Sequence, residues 1–184
     1  MSSYCDSAPG HEVHGPYHDT EYGFPTKDET ILFERLAMEI MQAGLSWVLI
    51  LKKRAGMNKA FAGFDVDNVA RFKTRDIERL LTDENIIRNK LKINAIIHNA
   101  QVIQTLRGSH GSFAAWIAAQ HPMAKTDWVK LFKKTFKFTG GEITGEFLMS
   151  IGYLPGAHRA ECPVQAKLDK LSQPWQGADP KIYG

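Results

Sequence analysis

The chain contains only two cysteines, Cys5 and Cys162, and each sits a short step from a histidine, His18 after the first and His158 before the second. One thiolate and one imidazole from each end of the chain make up a complete tetrahedral zinc set. A site of that kind would clasp the two ends around everything between them, which restricts the folds open to the chain. The His158-x-x-x-Cys162 spacing suits ligands delivered from a helix end or a tight turn. The Cys5 to His18 interval is less diagnostic, and two unrelated thiols or a Cys5–Cys162 disulfide would satisfy the same positions. The opening residues, with Asp6, His11, Glu12 and His14, do not read as an export signal. Reduced thiols are then expected, which favours a metal over a disulfide.

At 184 residues the chain can bury a substantial core. We expect one domain over residues 1–184, built as two helical lobes sharing a cleft, with residues 163–184 as a loosely packed tail rich in Pro and Gly. No apolar run is long enough to span a bilayer. The net charge is only +3, but bases cluster at Lys52, Lys53 and Arg54, at Arg88, Lys90 and Lys92, and at Lys130, Lys133, Lys134 and Lys137. Such clusters are compatible with an anionic polymer, but each run is more often a solvated helix face.

Helical periodicity dominates from Asp28 onward. Leu32, Leu36 and Ile40 recur at four-residue steps, Asp28 is placed to cap the helix start, and Gly44 to stop it. A short helix is predicted over 46–51. Asp65 and Thr74 read as N-caps for helices over 66–72 and 75–81. A long helix is predicted over 89–107, and further ones over 112–119, 127–133 and 145–152. No window alternates, so the fold class is all-α. Two stretches break the pattern: the N-terminal segment through Pro25, and Thr135-Phe136-Lys137-Phe138-Thr139-Gly140-Gly141. The latter lies between two helices, where backbone N–H groups at the start of the following helix can cradle a phosphate; a plain connector is the simpler alternative.

The most specific segments are Tyr17-His18-Asp19-Thr20-Glu21-Tyr22-Gly23-Phe24-Pro25 and Glu39-Ile40-Met41-Gln42-Ala43-Gly44-Leu45-Ser46-Trp47, followed by Lys52-Lys53-Arg54. Here the chain resembles the 3-methyladenine DNA glycosylase I family, whose members carry Tyr-His-Asp-x-Glu-Trp-Gly-x-Pro and Leu-Glu-x-x-Gln-Ala-Gly-Leu-Ser-Trp segments. The resemblance continues through Ile86-Ile87-Arg88-Asn89, through residues 92–100 and through Phe136-Lys137-Phe138-Thr139-Gly140. It closes at His158-x-x-x-Cys162.

The resemblance implies an all-α, helix-hairpin-helix glycosylase whose single structural zinc is held by Cys5, His18, His158 and Cys162. It further implies hydrolysis of the bond between an alkylated purine and deoxyribose, with double-stranded DNA as partner, a monomer as the working form and a bacterial-type cytoplasm, at the nucleoid when acting, as the location. An N3-alkylated adenine is cationic and already a good leaving group, so recognition outweighs acid–base chemistry. Electron-rich rings favour such a base by cation–π attraction, and a carboxylate favours it by charge and by accepting from the exocyclic amine. Glu39 matches the family's pocket glutamate, Tyr17 its pocket tyrosine and Trp47 its stacking tryptophan. Leu45 matches a wedge that fills the space left by the extruded nucleotide. Without the motif, a solvated helix carboxylate and simple core packing would serve for Glu39 and for Trp47 and Leu45. Lys134, Thr135, Phe136, Lys137, Phe138, Thr139 and Gly140 would grip the backbone of the lesion strand.

Departures from the family pattern fall in the pocket. Ser7 stands where a tryptophan is usual, His14 where a tyrosine is usual and Tyr22 in place of the tryptophan of the Glu-Trp-Gly segment. These substrate-contacting positions are smaller or more polar, which implies weaker holding of 3-methyladenine, a different or bulkier adduct, or a catalytically weak protein that binds damaged DNA. The hairpin is one residue shorter, with Thr135 where Arg-Gly is usual. Glu142 stands where the superfamily's bifunctional lyases carry a lysine, so no Schiff base and no strand cleavage are expected. Glu161 lies near the distance at which many superfamily members place a catalytic aspartate, although it also adjoins Cys162.

Overall fold

The computed structural model describes residues 4–184, and among these residues there is no strand. The helices are α1 (Tyr4–Ser7), α2 (His14–Thr20), α3 (Glu29–Gln42), α4 (Trp47–Ala60), α5 (Val66–Ala70), α6 (Thr74–Thr82), α7 (Lys90–His110), α8 (Phe113–Gln120), α9 (Lys125–Thr135), α10 (Gly141–Ser150) and α11 (Pro163–Leu168). The caps read from the sequence hold at Asp28 and Asp65, and Asn89 supplies a further one. Asp28 accepts from the Ile31 N–H, Asp65 from Asn68 and Asn89 from Lys92. At α6 the cap lies one residue earlier than Thr74: the Lys73 N–H donates to Asp76 instead.

α3 is the central element. Every residue from Leu32 to Met41 is buried, and the helix packs against α4, α7, α8 and α10. Its apolar face joins Phe33, Phe61, Phe64, Phe113 and Phe147 in one core. Burying the charged side chains Glu34, Arg35 and Glu39 on the same helix requires partners. Glu34 has Arg54, whose guanidinium reaches it at 2.8 and 2.9 Å and grips Glu21 at 2.7 and 2.8 Å. Arg35 donates to the Ser150 carbonyl at 2.6 Å and to that of Phe24 at 3.3 Å. Glu39 makes no hydrogen bond to any described residue.

Several expected boundaries shift. The N-terminal stretch predicted as a loop contains α1 and α2. The helix expected to end at Leu51 continues to Ala60, carrying Lys52, Lys53 and Arg54, because the Arg54 ion pairs anchor its middle turns against α3. α10 starts four residues earlier than predicted, directly after Gly140. The tail expected to be loose is packed: α11 is followed by 3-10 turns at Asp169–Leu171, Pro174–Gly177 and Pro180–Ile182. Leu168 and Val164 are buried there, and the buried Gln173 side chain donates to the Gly23 carbonyl at 2.9 Å.

Candidate functional site

The N- and C-terminal segments meet at Cys5, His18, His158 and Cys162, all buried, with one ligand atom from each lying within 4.8 Å of the others. The Nδ1 atom of His158 is 3.6 Å from both Sγ atoms, and His18 Nε2 is 3.9 Å from Cys162 Sγ. A tetrahedral ion with bonds of about 2.0–2.3 Å sets its ligands roughly 3.3–3.8 Å apart, so the cluster fits a metal ion. The remaining ring nitrogens are also committed. His18 Nδ1 pairs with Asp19 at 2.6 Å, and His158 Nε2 with the Tyr22 carbonyl at 2.7 Å. Those bonds fix which nitrogen of each ring faces the cluster. Cys5 and Cys162 are not joined as a disulfide. An Asp6–Arg159 ion pair ties the same two segments together.

The cluster's neighbours open onto a cleft of about 720 Å³ lined by Tyr4, Tyr17, Tyr22, Glu39, Trp47 and Glu146, with Gln42 to Gly44 and Gly140 to Ile143 at its rims. The rings form a connected set. Tyr17 meets Trp47 edge-on at 5.2 Å and Tyr22 at 5.8 Å, and Tyr4 stands perpendicular to Tyr22 at 5.6 Å. Burial, and secondarily the negative charge of Glu146, pushes the Glu39 carboxyl well above its ordinary range. Glu146 is likewise pushed up, chiefly by burial, while Tyr22 donates its hydroxyl to Oε2 at 2.9 Å and the Lys125 charge counteracts the shift.

The expected base-contacting residues Glu39, Tyr17, Trp47 and Tyr22 all line this cleft. Ser7 and His14 do not. Ser7 is exposed, because the first turn of α1 that buries Cys5 carries the residue two places on toward solvent. The ring on the cleft side of Cys5 is Tyr4. His14 sits behind Tyr4 and bonds its hydroxyl through Nδ1 at 3.1 Å, so it positions a ring instead of lining the cavity. Like Tyr17, Tyr4 immediately precedes a cluster residue, and that adjacency is the signal that could have found it. Glu161 is exposed and lies outside the cleft.

Leu45 is 36% exposed at the α3–α4 turn beside the cleft mouth. Gly44 makes this turn with a φ of 80°, and the Gln42 side chain donates to the Leu45 carbonyl at 2.9 Å. Lys92, expected on a solvated basic face, is buried; its Nζ donates to the Met41 and Ala43 carbonyls at 2.8 and 2.6 Å and caps the end of α3.

The α9–α10 connector divides its residues by role. Phe136 and Thr139 are buried, Phe136 among Phe113, Trp116 and Phe132, and Thr139 donating to the Phe132 carbonyl at 2.9 Å. Their side chains shape the loop, so that what these two positions offer a ligand is chiefly backbone. Asn99 of α7 brackets Lys137, accepting from its N–H at 2.8 Å and donating to its carbonyl at 3.0 Å. Lys134, Lys137 and Phe138 are exposed, Thr135 and Gly140 partly so, and Phe138 takes a φ of 61°.

Comparison with known proteins gives a consistent result. Residues 7–131 match the methyladenine glycosylase family. A DNA-3-methyladenine glycosylase of Haemophilus influenzae is 31% identical over 184 residues, covering 90% of this chain and 99% of that protein. DNA-3-methyladenine glycosylase 1 of Escherichia coli is 35% identical over 155 residues, covering 74% and 83%. The 3-methyladenine DNA glycosylase I of Staphylococcus aureus, solved for its recognition of 3-methyladenine, superposes with a TM-score of 0.79 at 32% identity over 88% of this chain and 95% of that one.

Proposed function

Since the chain belongs to the methyladenine glycosylase family, we propose that it hydrolyses the N-glycosidic bond of an alkylated purine in DNA, releasing a 3-methyladenine-like base for base excision repair. The observation that carries this reading is Glu39: a buried carboxyl with no hydrogen bond to a described residue, set among aromatic rings in an open cleft. A buried acid left without a partner is costly unless a ligand supplies one. A cationic alkyladenine does so. Its charge and 6-amino group favour ionised Glu39, and the faces of Tyr4, Tyr17, Tyr22 and Trp47 favour a cationic ring over neutral adenine by about 1–2 kcal/mol per good contact.

Catalysis in this reading is mostly extraction and recognition. Leu45 enters the stack where the nucleotide leaves, and the α3–α4 turn holds it there through Gly44 and Lys92. Exposed Lys134 and Lys137, with backbone N–H groups at the start of α10, hold phosphates in a helix-hairpin-helix manner. Water then attacks the sugar carbon as the base departs. Glu142 offers no amine for a Schiff base, so the reaction stops at the abasic site. We read the Cys5, His18, His158 and Cys162 cluster as a structural zinc site, one ion per chain. When bound, zinc there supplies structure and no open coordination position. The chain's own residues transmit that order, since Tyr4 and Tyr17 each adjoin a ligand and face the cleft.

The test is to incubate the protein with methylated duplex DNA and identify released bases by mass spectrometry. Release of 3-methyladenine, lost in Glu39→Gln and Trp47→Ala, is expected. Tight binding of methylated DNA with no released base would sink the enzymatic reading and leave a damage-binding protein. No helix among the described residues is long and apolar enough to cross a membrane.

A further inference from the structure

The cleft holds a second acid that the motif reading did not single out. Glu146 projects from α10, a different helix from the one bearing Glu39, and both line the same cavity. One of its oxygens is held by the Tyr22 hydroxyl at 2.9 Å, so its other oxygen carries no hydrogen bond to a described residue. Gly145, the residue before it, lies against the flexible end of Lys125. A Cβ there would lie 2.7 Å from Lys125 Cε and 2.9 Å from its Nζ, so glycine allows the lysine to lie alongside. Among the described residues no basic side chain lines the cleft. Tyr22, which supplies the hydroxyl, stands where the resembled family carries a tryptophan.

Three carboxyls line the cleft, and even with the exposed Glu142 set aside, the less exposed Glu39 and Glu146 exceed what a 3-alkyladenine needs, since that base presents one amino group. A guanine presents a different edge: the O6 acceptor beside the N1–H and 2-amino donors. Neighbouring carboxyls that cannot both ionise hold one proton between them. Burial favours the protonated form of both acids, while the Tyr22 hydroxyl and the Lys125 charge favour ionised Glu146 and the charge of Glu146 favours protonated Glu39. A protonated Glu39 donates to O6, and an ionised Glu146 accepts from the N1–H and 2-amino group. With a 3-alkyladenine bound, Glu39 ionises and accepts from the 6-amino group instead.

We propose that Glu146 is a second base-reading residue, which together with Glu39 matches the Watson–Crick edge of a cationic 7-alkylguanine and extends the substrate range to that lesion. This rests on the glycosylase reading above. In the reaction the N9–C1′ bond breaks, and its electron pair neutralises the cationic imidazole ring of the base. A water oxygen bonds to C1′, and the water's proton passes to solvent.

The test uses duplex DNA treated with a simple methylating agent, which carries both 3-methyladenine and 7-methylguanine. Released bases are quantified for the full chain against a no-enzyme control for spontaneous depurination. Both bases are expected from the wild type, and Glu146→Gln should lower the ratio of released 7-methylguanine to 3-methyladenine at least tenfold. Glu146→Asp, which keeps the charge and withdraws the oxygens, should lower the same ratio and serves if the glutamine variant does not fold. Release of 3-methyladenine alone by the wild type would overturn this inference and leave the glycosylase reading intact. An unchanged ratio in both variants would overturn the role of Glu146, as when one adenine amine bridges both acids. Release of neither base would overturn the glycosylase reading itself.

Discussion

The metal-competent cluster and the cleft are built from the same short N-terminal segment, yet they treat their polar groups in opposite ways. At the cluster, Cys5, His18, His158 and Cys162 turn their donors toward one another, and the outer ring nitrogens are taken by Asp19 and the Tyr22 carbonyl. One position before Cys5 and one before His18, Tyr4 and Tyr17 turn toward a cavity whose acids are only partly answered. The closed side fixes backbone position, and the open side keeps acceptors in reserve for a ligand. Alternation along two short helices therefore separates a structural task from a recognition task at single-residue resolution.

The largest effect should come from opening the closed side. Cys162→Ser removes one of four ligands, and about 4 kcal/mol is a modest share of the binding energies typical of structural zinc. For a chain this size that corresponds to a fall in Tm of roughly 10 °C, at about 2–4 °C per kcal/mol. Thermal melting should show this fall, metal analysis should show well under one equivalent, and a chelator should bring the wild type down to match. If neither substitution nor chelation moves Tm, the clasp does not depend on a metal and the contrast between the two regions fails.

On the open side the same kind of measurement should move in the opposite direction. The folded protein holds Glu39 protonated to a higher pH than the ordinary value of 4.5. Its carboxyl therefore contributes no penalty below that value and an increasing one as pH rises toward and through the folded value. Glu39→Gln removes the penalty. The variant should match wild type near pH 4 and melt higher near pH 8, by roughly 2–4 °C if about 1 kcal/mol is recovered, while base release falls. A lower Tm for Glu39→Gln at both pH values would mean that Glu39 stabilises the fold and is not held in reserve.

How much of this was legible in the sequence depends on the distance over which each signal acts. The four cluster residues were readable because scarce residue types recur at both ends of the chain. Asp28 and Asp65 were readable because a cap acts over three residues. Tyr4 was harder to read, because the family pattern carries its ring two residues after Cys5, at Ser7, and here the ring precedes Cys5. Glu146 was hidden by a helix boundary. With α10 starting at Gly141, Glu142 and Glu146 are one turn apart on the cleft side, but a start at Gly145 erases that face. Lys92 and Asn99 were unreadable in principle. Each satisfies backbone groups roughly forty to fifty positions away, at Met41, Ala43 and Lys137, and local patterns carry no record of such pairings.

The smallest effect concerns the α9–α10 connector, proposed to meet DNA, and it extends the comparison beyond the cleft. Lys134 and Lys137 are exposed and Lys137 is held through its backbone by Asn99, so their charges are positioned without being tied to the base pocket. Phosphate contacts of this kind release counterions and carry no base identity. Lys134→Ala and Lys137→Ala should each weaken duplex binding several-fold and reduce the dependence of log affinity on log salt by about 1. The preference for methylated over unmethylated duplex should stay constant, because the acids and rings of the cleft, proposed to read the base, are untouched. Fluorescence anisotropy titrations over a range of salt separate the two quantities. A changed preference at constant salt slope would place these lysines in lesion reading and erase the division between connector and cleft.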